Sequence, residues 1–146
     1  MNRPTDKAVD APRACFIAAG LDVLGERWAL LALREMALGV HRFDQIARNT
    51  GASRDILTGR LRTLESQGVI ERVQYSERPP RYVYELTAPG RELAGALRLL
   101  ADWGARHAEG APVRHAECGT ALEARWYCPA CDRTVAEPDD EEMHYA

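Results

Sequence analysis

From Ser53 to Arg72 the chain reads SRDILTGRLRTLESQGVIER, and Leu57, Leu61 and Leu64 recur in it at intervals of four and three residues. At 100° per residue these leucines form one narrow face of a helix, and Asp55, Thr58, Gly59, Arg62, Thr63 and Ser66 form the opposite one. One face must pack and the other stay free. Ser53 supplies an N-cap acceptor at the start. Directly before it, RFDQIARNTG reads as a short helix with Phe43, Ile46 and Ala47 inward and Gly51 making the turn. A short helix, a glycine turn and a longer helix with a polar outer face make the helix-turn-helix order. No other feature limits the fold as strongly.

The residues after Gly68 narrow it further. VIERVQY and RYVYELT are β-branched and aromatic runs, and the intervening SERPP suits a loop better than a continuing strand. The pair predicts an antiparallel hairpin, which turns a helix-turn-helix into a winged helix. In that fold the second helix, about residues 53–67 here, lies in the major groove of a DNA duplex. The loop, about residues 76–81, carries Arg78 and Arg81 on either side of Pro79 and Pro80. Charges so placed suit a narrow minor groove, where the potential is most negative. Gly59 costs the helix about 1 kcal/mol relative to alanine, but on an exposed face it would admit a phosphate or base edge closely. Plainer readings stay open: Gly59 as a neutral residue, the arginines as a solvated face, and Glu77 pairing with Arg78.

Around this core, ACFIAAGLDVLGERWALLALREMALG predicts two helices, interrupted at Gly25 and stopped at Gly39. APGRELAGALRLLADWGARH predicts a long last helix after a Thr87 cap, with Pro89 in its first turn and Leu93, Leu97, Leu100 and Trp103 or Gly104 on one stripe. At 146 residues and 46% apolar composition, the chain supports one core and a small appendage held by other means. The net charge of −3 hides a division: Val40 to Arg91 has nine arginines against six acids, whereas Ala108 onward has three arginines against nine acids. A basic reading module with an acidic extension fits that split. The N-terminus has no apolar run before a cleavage site, and no segment approaches bilayer length, so no membrane role and a cytoplasmic location are expected.

The run from Cys15 to about His107 carries a further set of residues: Gly25 to Trp28, Arg42-Phe43, Leu57-Thr58, Arg60-Leu61-Arg62, Gly68, Tyr75, Pro79-Pro80-Arg81 and Leu86-Thr87. Through them the chain resembles the HxlR-type winged-helix transcriptional regulators, relatives of the MarR group. The resemblance implies a homodimer joined through the first and last helices and bound to a pseudo-palindromic double-stranded DNA operator. It implies that Arg62 and its neighbours Ser53, Arg54, Asp55, Thr58 and Gly59 face the bases, and that Arg27, Arg78 and Arg81 hold phosphates or the minor groove. Some members sense oxidants or electrophiles through the early cysteine. Here Cys15 precedes phenylalanine where the family commonly has proline, so Cys15 is a candidate redox sensor or simply a small buried hydrophobe. A small-molecule effector, in a pocket between the last helix and the winged domain, is also left open.

Beyond His107 the residues RHAECGTALEARWYCPACD contain His115-x2-Cys118-x9-Cys128-x2-Cys131. Three thiolates and an imidazole are a soft tetrahedral set suited to Zn²⁺. Gly119 follows the first pair and Pro129 lies within the second, as in zinc-ribbon knuckles, while Asp132 stands where glycine is usual but tolerates the left-handed conformation. His107 and His144 are rival fourth ligands, and a redox dithiol at Cys128 and Cys131 is the other reading. The expected architecture is mainly α with a small β-hairpin: a leader over 1–13, a winged helix-turn-helix domain over 14–107, a zinc-ribbon-like extension over 108–136 and an acidic tail over 137–146.

Three functions compete on these grounds: a DNA-binding regulator with structural zinc, a switch sensing metal or oxidants, and a zinc-containing protein-interaction module. An enzyme is not expected, since the chain has no phosphate-binding glycine loop and no nucleophile with a nearby base.

Overall fold

The computed structural model describes residues 15–108 and 110–135. The expected leader over 1–13, the acidic tail and His144 lie outside the described residues. Five helices and four strands run in the order α1 (Phe16–Leu24), α2 (Arg27–Ala37), α3 (Phe43–Thr50), α4 (Arg54–Ser66), β1 (Ile70–Glu77), β2 (Pro80–Leu86), α5 (Ala88–His107), β3 (Trp126–Cys128) and β4 (Arg133–Val135). The chain divides into two compact units at Leu93 and Ala94.

In the first unit the core is the set of inward faces that the helical spacing picks out. Leu33 of α2, Ile46 of α3, Leu57, Leu61 and Leu64 of α4 and Ile70 of β1 are the largest fully buried side chains. Each is worth roughly 1.5–3 kcal/mol of burial. Gly51 ends α3 at φ 76°, a left-handed turn that glycine takes without steric cost and that lets Ala52 enter the core. Ser53 then caps α4, its Oγ accepting the Ile56 N–H at 3.3 Å.

Two tertiary ties orient the helices beyond what burial alone does. Glu35 of α2 is 4% exposed, and its carboxylate accepts from Arg34 at 2.6 and 3.0 Å and from Asn49 Nδ2, near the end of α3, at 2.6 Å. Burial pushes its pKa up, but the Asn49 and Arg34 hydrogen bonds and the Arg34 charge outweigh it and hold the group below the ordinary value. Between α2 and α3, His41 pairs with β2: its carbonyl accepts the Tyr84 N–H at 2.9 Å, and its Nδ1 lies 3.0 Å from the Tyr84 oxygen. A carbonyl only accepts, so Nδ1 carries the proton.

β1 and β2 pair antiparallel from Ile70↔Leu86 to Glu77↔Pro80, which corrects the expected loop. Ser76 and Glu77 belong to β1, and Pro80 and Arg81 to β2, leaving Arg78 and Pro79 as the turn. Proline is compatible with the first position of an edge strand because no inward N–H is needed there. Gln74 faces Tyr82 and Ser76 faces Arg81, so Tyr75 is the extra residue of a bulge. Thr87 closes the hairpin onto α5, donating to the Gly68 and Val69 carbonyls at 2.6 and 2.9 Å and accepting the Gly90 N–H at 3.3 Å.

The second unit contains α5 from Ala94 and a small β-structure. A first hairpin turn spans Val113–Leu122, with an Arg114↔Ala121 bridge and a Leu122 N–H to Val113 carbonyl bond of 2.8 Å. A second is formed by β3 and β4, with Cys128 opposite Arg133. None of the described residues of 110–135 is buried.

Candidate nucleic-acid interface

The outer face of α4 is solvent-exposed at Asp55, Gly59, Arg62, Thr63 and Ser66, with Thr58 half-buried. Its hydroxyls fold back onto the helix: Thr58 Oγ1 donates to the Arg54 carbonyl at 2.7 Å and Thr63 Oγ1 to the Gly59 carbonyl at 3.1 Å. Each hydroxyl oxygen keeps acceptor capacity for an outside partner. A Cβ built on Gly59 would have nothing within 4 Å, so no neighbouring residue of the protein requires glycine there.

The arginines expected on this surface divide into two groups. Among the described residues no ion pair or side-chain hydrogen bond engages Arg62, Arg78 or Arg81, and all three are exposed. Arg54 differs. Its guanidinium is 2.6 Å from Asp44 Oδ1 and 4.9 Å from the centre of the Phe43 ring. Both side chains of that ion pair are about 70% exposed (72% and 69%), so it is weak and water-competed. Arg27, at the start of α2, lies 4.8 Å from the Trp28 ring and is exposed. Arg60 turns aside to Glu26 at 3.2 Å.

The hairpin adds two stacked cations that sequence spacing did not single out. Arg72 lies 3.8 Å from the centre of the Tyr82 ring, and Arg42 lies 5.6 Å from that of the bulged Tyr75. The bulge at Tyr75 left no mark in the alternation of the strand. Where α1, α2 and α4 meet, a cavity of about 310 Å³ is lined by Leu21, Asp22, Glu26, Ala29, Arg60 and Thr63.

Apolar surface is concentrated elsewhere. On α1, Phe16, Ile17 and Leu21 are 76%, 71% and 54% exposed, and Cys15 at its N-cap is also exposed within the single chain. On the second-unit part of α5, Leu99, Leu100 and Trp103 are exposed. The leucine stripe of α5 is half-buried at Leu93 and Leu97 and opens to solvent beyond them.

The four expected metal ligands come together in two pairs. His115 Nδ1 is 3.3 Å from Cys118 Sγ, and Cys128 and Cys131 are hydrogen-bonded to each other. Among the described residues no three histidine, cysteine or acidic side chains form a single group. Hydrogen bonding from the Thr120 side chain and backbone pulls the Cys118 thiol below its ordinary pKa, and bonding from Cys131 and Ala130 does the same for Cys128.

Known proteins resemble most of this chain. The HxlR-like helix-turn-helix family model matches residues 23–111. The HTH-type transcriptional regulator Rv3095 of Mycobacterium tuberculosis is 42% identical over 124 residues, 82% of this chain and 78% of that protein. The structure of PA1374 from Pseudomonas aeruginosa, described as a candidate transcription factor, superposes with a TM-score of 0.66 at 33% identity, covering 90% of this chain and 92% of that one. The redox regulator HypR in its oxidised form gives 0.60 at 30% identity, over 65% of this chain and 99% of HypR. No helix among the described residues is long and apolar enough to cross a membrane.

Proposed function

This chain belongs to the HxlR-like helix-turn-helix family, a family of transcriptional regulators rather than enzymes, and from that premise we propose that it binds duplex DNA as a homodimer at a pseudo-palindromic operator. α4 enters the major groove, with Ser53, Arg54, Asp55, Thr58, Gly59 and Arg62 facing the bases and their flanking phosphates. The Arg78–Pro79 turn and Arg81 lie on the minor groove, and Arg27 holds a phosphate. The apolar faces of α1 and α5 form the dimer interface, and Zn²⁺ holds the C-terminal appendage together.

The observation that carries this reading is the distribution of unpaired charge. The side chains of Arg62, Arg78 and Arg81 are exposed without a partner among the described residues, on the helix, the turn and the start of β2 that a winged helix presents to DNA. A charge with no internal partner breaks no ion pair within the protein when it moves onto a phosphate. Binding that releases counterions in this way weakens steeply with salt. The dimer reading is supported by α1, whose exposed apolar side chains a monomer would leave in water.

The test is a salt titration of the reduced protein on duplex DNA from directly upstream of its own gene, against a scrambled duplex of equal length. Selective binding with a steep salt slope is expected, with Arg62→Ala relaxing discrimination and Arg78→Ala reducing the slope by about 1. Equal weak binding to both duplexes counts against the reading.

One observation favours an added layer of control: Cys15 is exposed at the α1 N-cap, on the helix assigned to the dimer interface. Its oxidation by a peroxide, in which the thiolate takes one oxygen to become a sulfenic acid as the O–O bond breaks and water or an alcohol leaves, would place a polar group on that interface and release DNA.

A further inference from the structure

The appendage poses a folding problem of its own, whose solution rests on the zinc-held reading but not on DNA binding. Two hairpin turns are formed within 110–135, although none of the described residues there is buried. Segments this small ordinarily need a disulfide, a metal or a partner to replace the missing core. All three cysteines of this unit are free thiols.

Each turn presents two soft donors at the same place in its backbone. In the first, the Gly119 N–H donates to the His115 carbonyl at 2.8 Å and the His115 N–H to the Thr120 carbonyl at 2.8 Å, which sets His115 beside Cys118. In the second, the β3–β4 pairing sets Cys128 beside Cys131. The residue after the second donor is left-handed in both: Gly119 at φ 69° and Asp132 at φ 50°. Asp132 is the one non-glycine residue with positive φ among the described residues, and Tyr127 OH donates to its carboxylate at 2.5 Å. A side chain in that region carries a steric cost, so the turn around Cys131 is specified rather than incidental. Backbone N–H groups reach the sulfurs as well, from Thr120 to Cys118 and from Ala130 and Cys131 to Cys128. Such bonds orient thiolate ligands and offset their charge.

We infer that the two turns are halves of one tetrahedral Zn²⁺ site, with His115 and Cys118 from the first and Cys128 and Cys131 from the second. Binding exchanges three thiol protons for the metal, leaving a centre of net charge −1. Arg114, bonded to the Gly119 carbonyl at 2.8 Å, and Arg133, opposite Cys128, lie next to it in the chain fold. On this reading metal binding and closure of the unit are one step. All four positions are filled by protein, so the zinc is structural and has no site for a reacting water.

The full-length protein in reducing buffer, loaded with zinc and passed through gel filtration, is expected to retain one zinc per chain. The Cys15→Ser variant should retain it too, whereas Cys118→Ser and Cys131→Ser should lose it. Co²⁺ in place of zinc should give the thiolate charge-transfer and strong visible bands of a four-coordinate site. Helix content is followed in parallel, since unchanged α2–α4 melting shows that the variants lose ligands and not the fold. A chain that elutes metal-free, a Co²⁺ spectrum without thiolate bands, or zinc that survives Cys131→Ser would overturn the inference. Operator binding on the same samples keeps the two readings apart. Metal-free protein that still selects its operator sinks this site alone, and zinc-loaded protein without selectivity sinks the regulator reading alone.

Discussion

Replacing Gly59 by alanine separates what the folded chain needs from what its DNA surface needs. Gly59 sits in the interior of α4, and a Cβ there would meet nothing within 4 Å. Within the protein the substitution can only remove glycine's backbone freedom from the unfolded state, so stability should rise by about 0.4–1 kcal/mol. At fixed protein concentration that is a rise in Tm of roughly 2–6 °C for a domain of this size. On DNA the sign reverses. If the backbone at Gly59 lies against a phosphate or base edge, an added methyl is an overpacking defect of about 1–3 kcal/mol. That converts to about 5- to 150-fold weaker operator binding, at 1.4 kcal/mol per factor of ten. Thermal unfolding by circular dichroism and operator binding by fluorescence anisotropy, on the same preparation, read the two effects independently. Higher stability with unchanged affinity would refute the close-approach argument and leave Gly59 a neutral residue. Lower stability would refute the packing argument as well.

Three further expectations rest on particular contacts. The Glu35 carboxyl titrates below its ordinary value in the fold, so its contribution is present above the unfolded carboxylate range and is lost as pH falls through the folded value. Glu35→Gln should therefore cost about 1–3 kcal/mol at pH 7, with the gap to wild type closing in urea titrations at acid pH; a gap independent of pH would contradict the assignment. Asp44→Asn removes the partner of Arg54 and should raise operator affinity and steepen the salt slope by about 1, at a stability cost below about 1 kcal/mol. Unchanged salt dependence would mean that Arg54 does not reach DNA. Finally, peroxide should release DNA from the wild type but not from Cys15→Ser, and full release from the variant would place the sensing elsewhere.

Much of the first unit is written in the order of residues, because helical faces, caps and turns depend on neighbours three or four positions away. Leu57, Leu61 and Leu64 are buried where their spacing puts them, Ser53 caps α4 through its hydroxyl, and Gly51 takes the left-handed turn. The paired spacing of His115, Cys118, Cys128 and Cys131 was legible for the same reason, since each pair closes within a single turn.

Only the tertiary structure decided the rest, through contacts that have no local period. Glu35 looks like one more surface acid until Asn49, 14 residues on, meets it. Arg54 reads as a free cation on a DNA-facing helix, yet α3 brings Asp44 to its side. The hairpin turn contracts to Arg78 and Pro79 because strand pairing, unlike residue preference, is a property of two segments at once. Charge and periodicity along the chain set which surfaces this protein offers. Which of its arginines remain free to act is set by what folding places beside them.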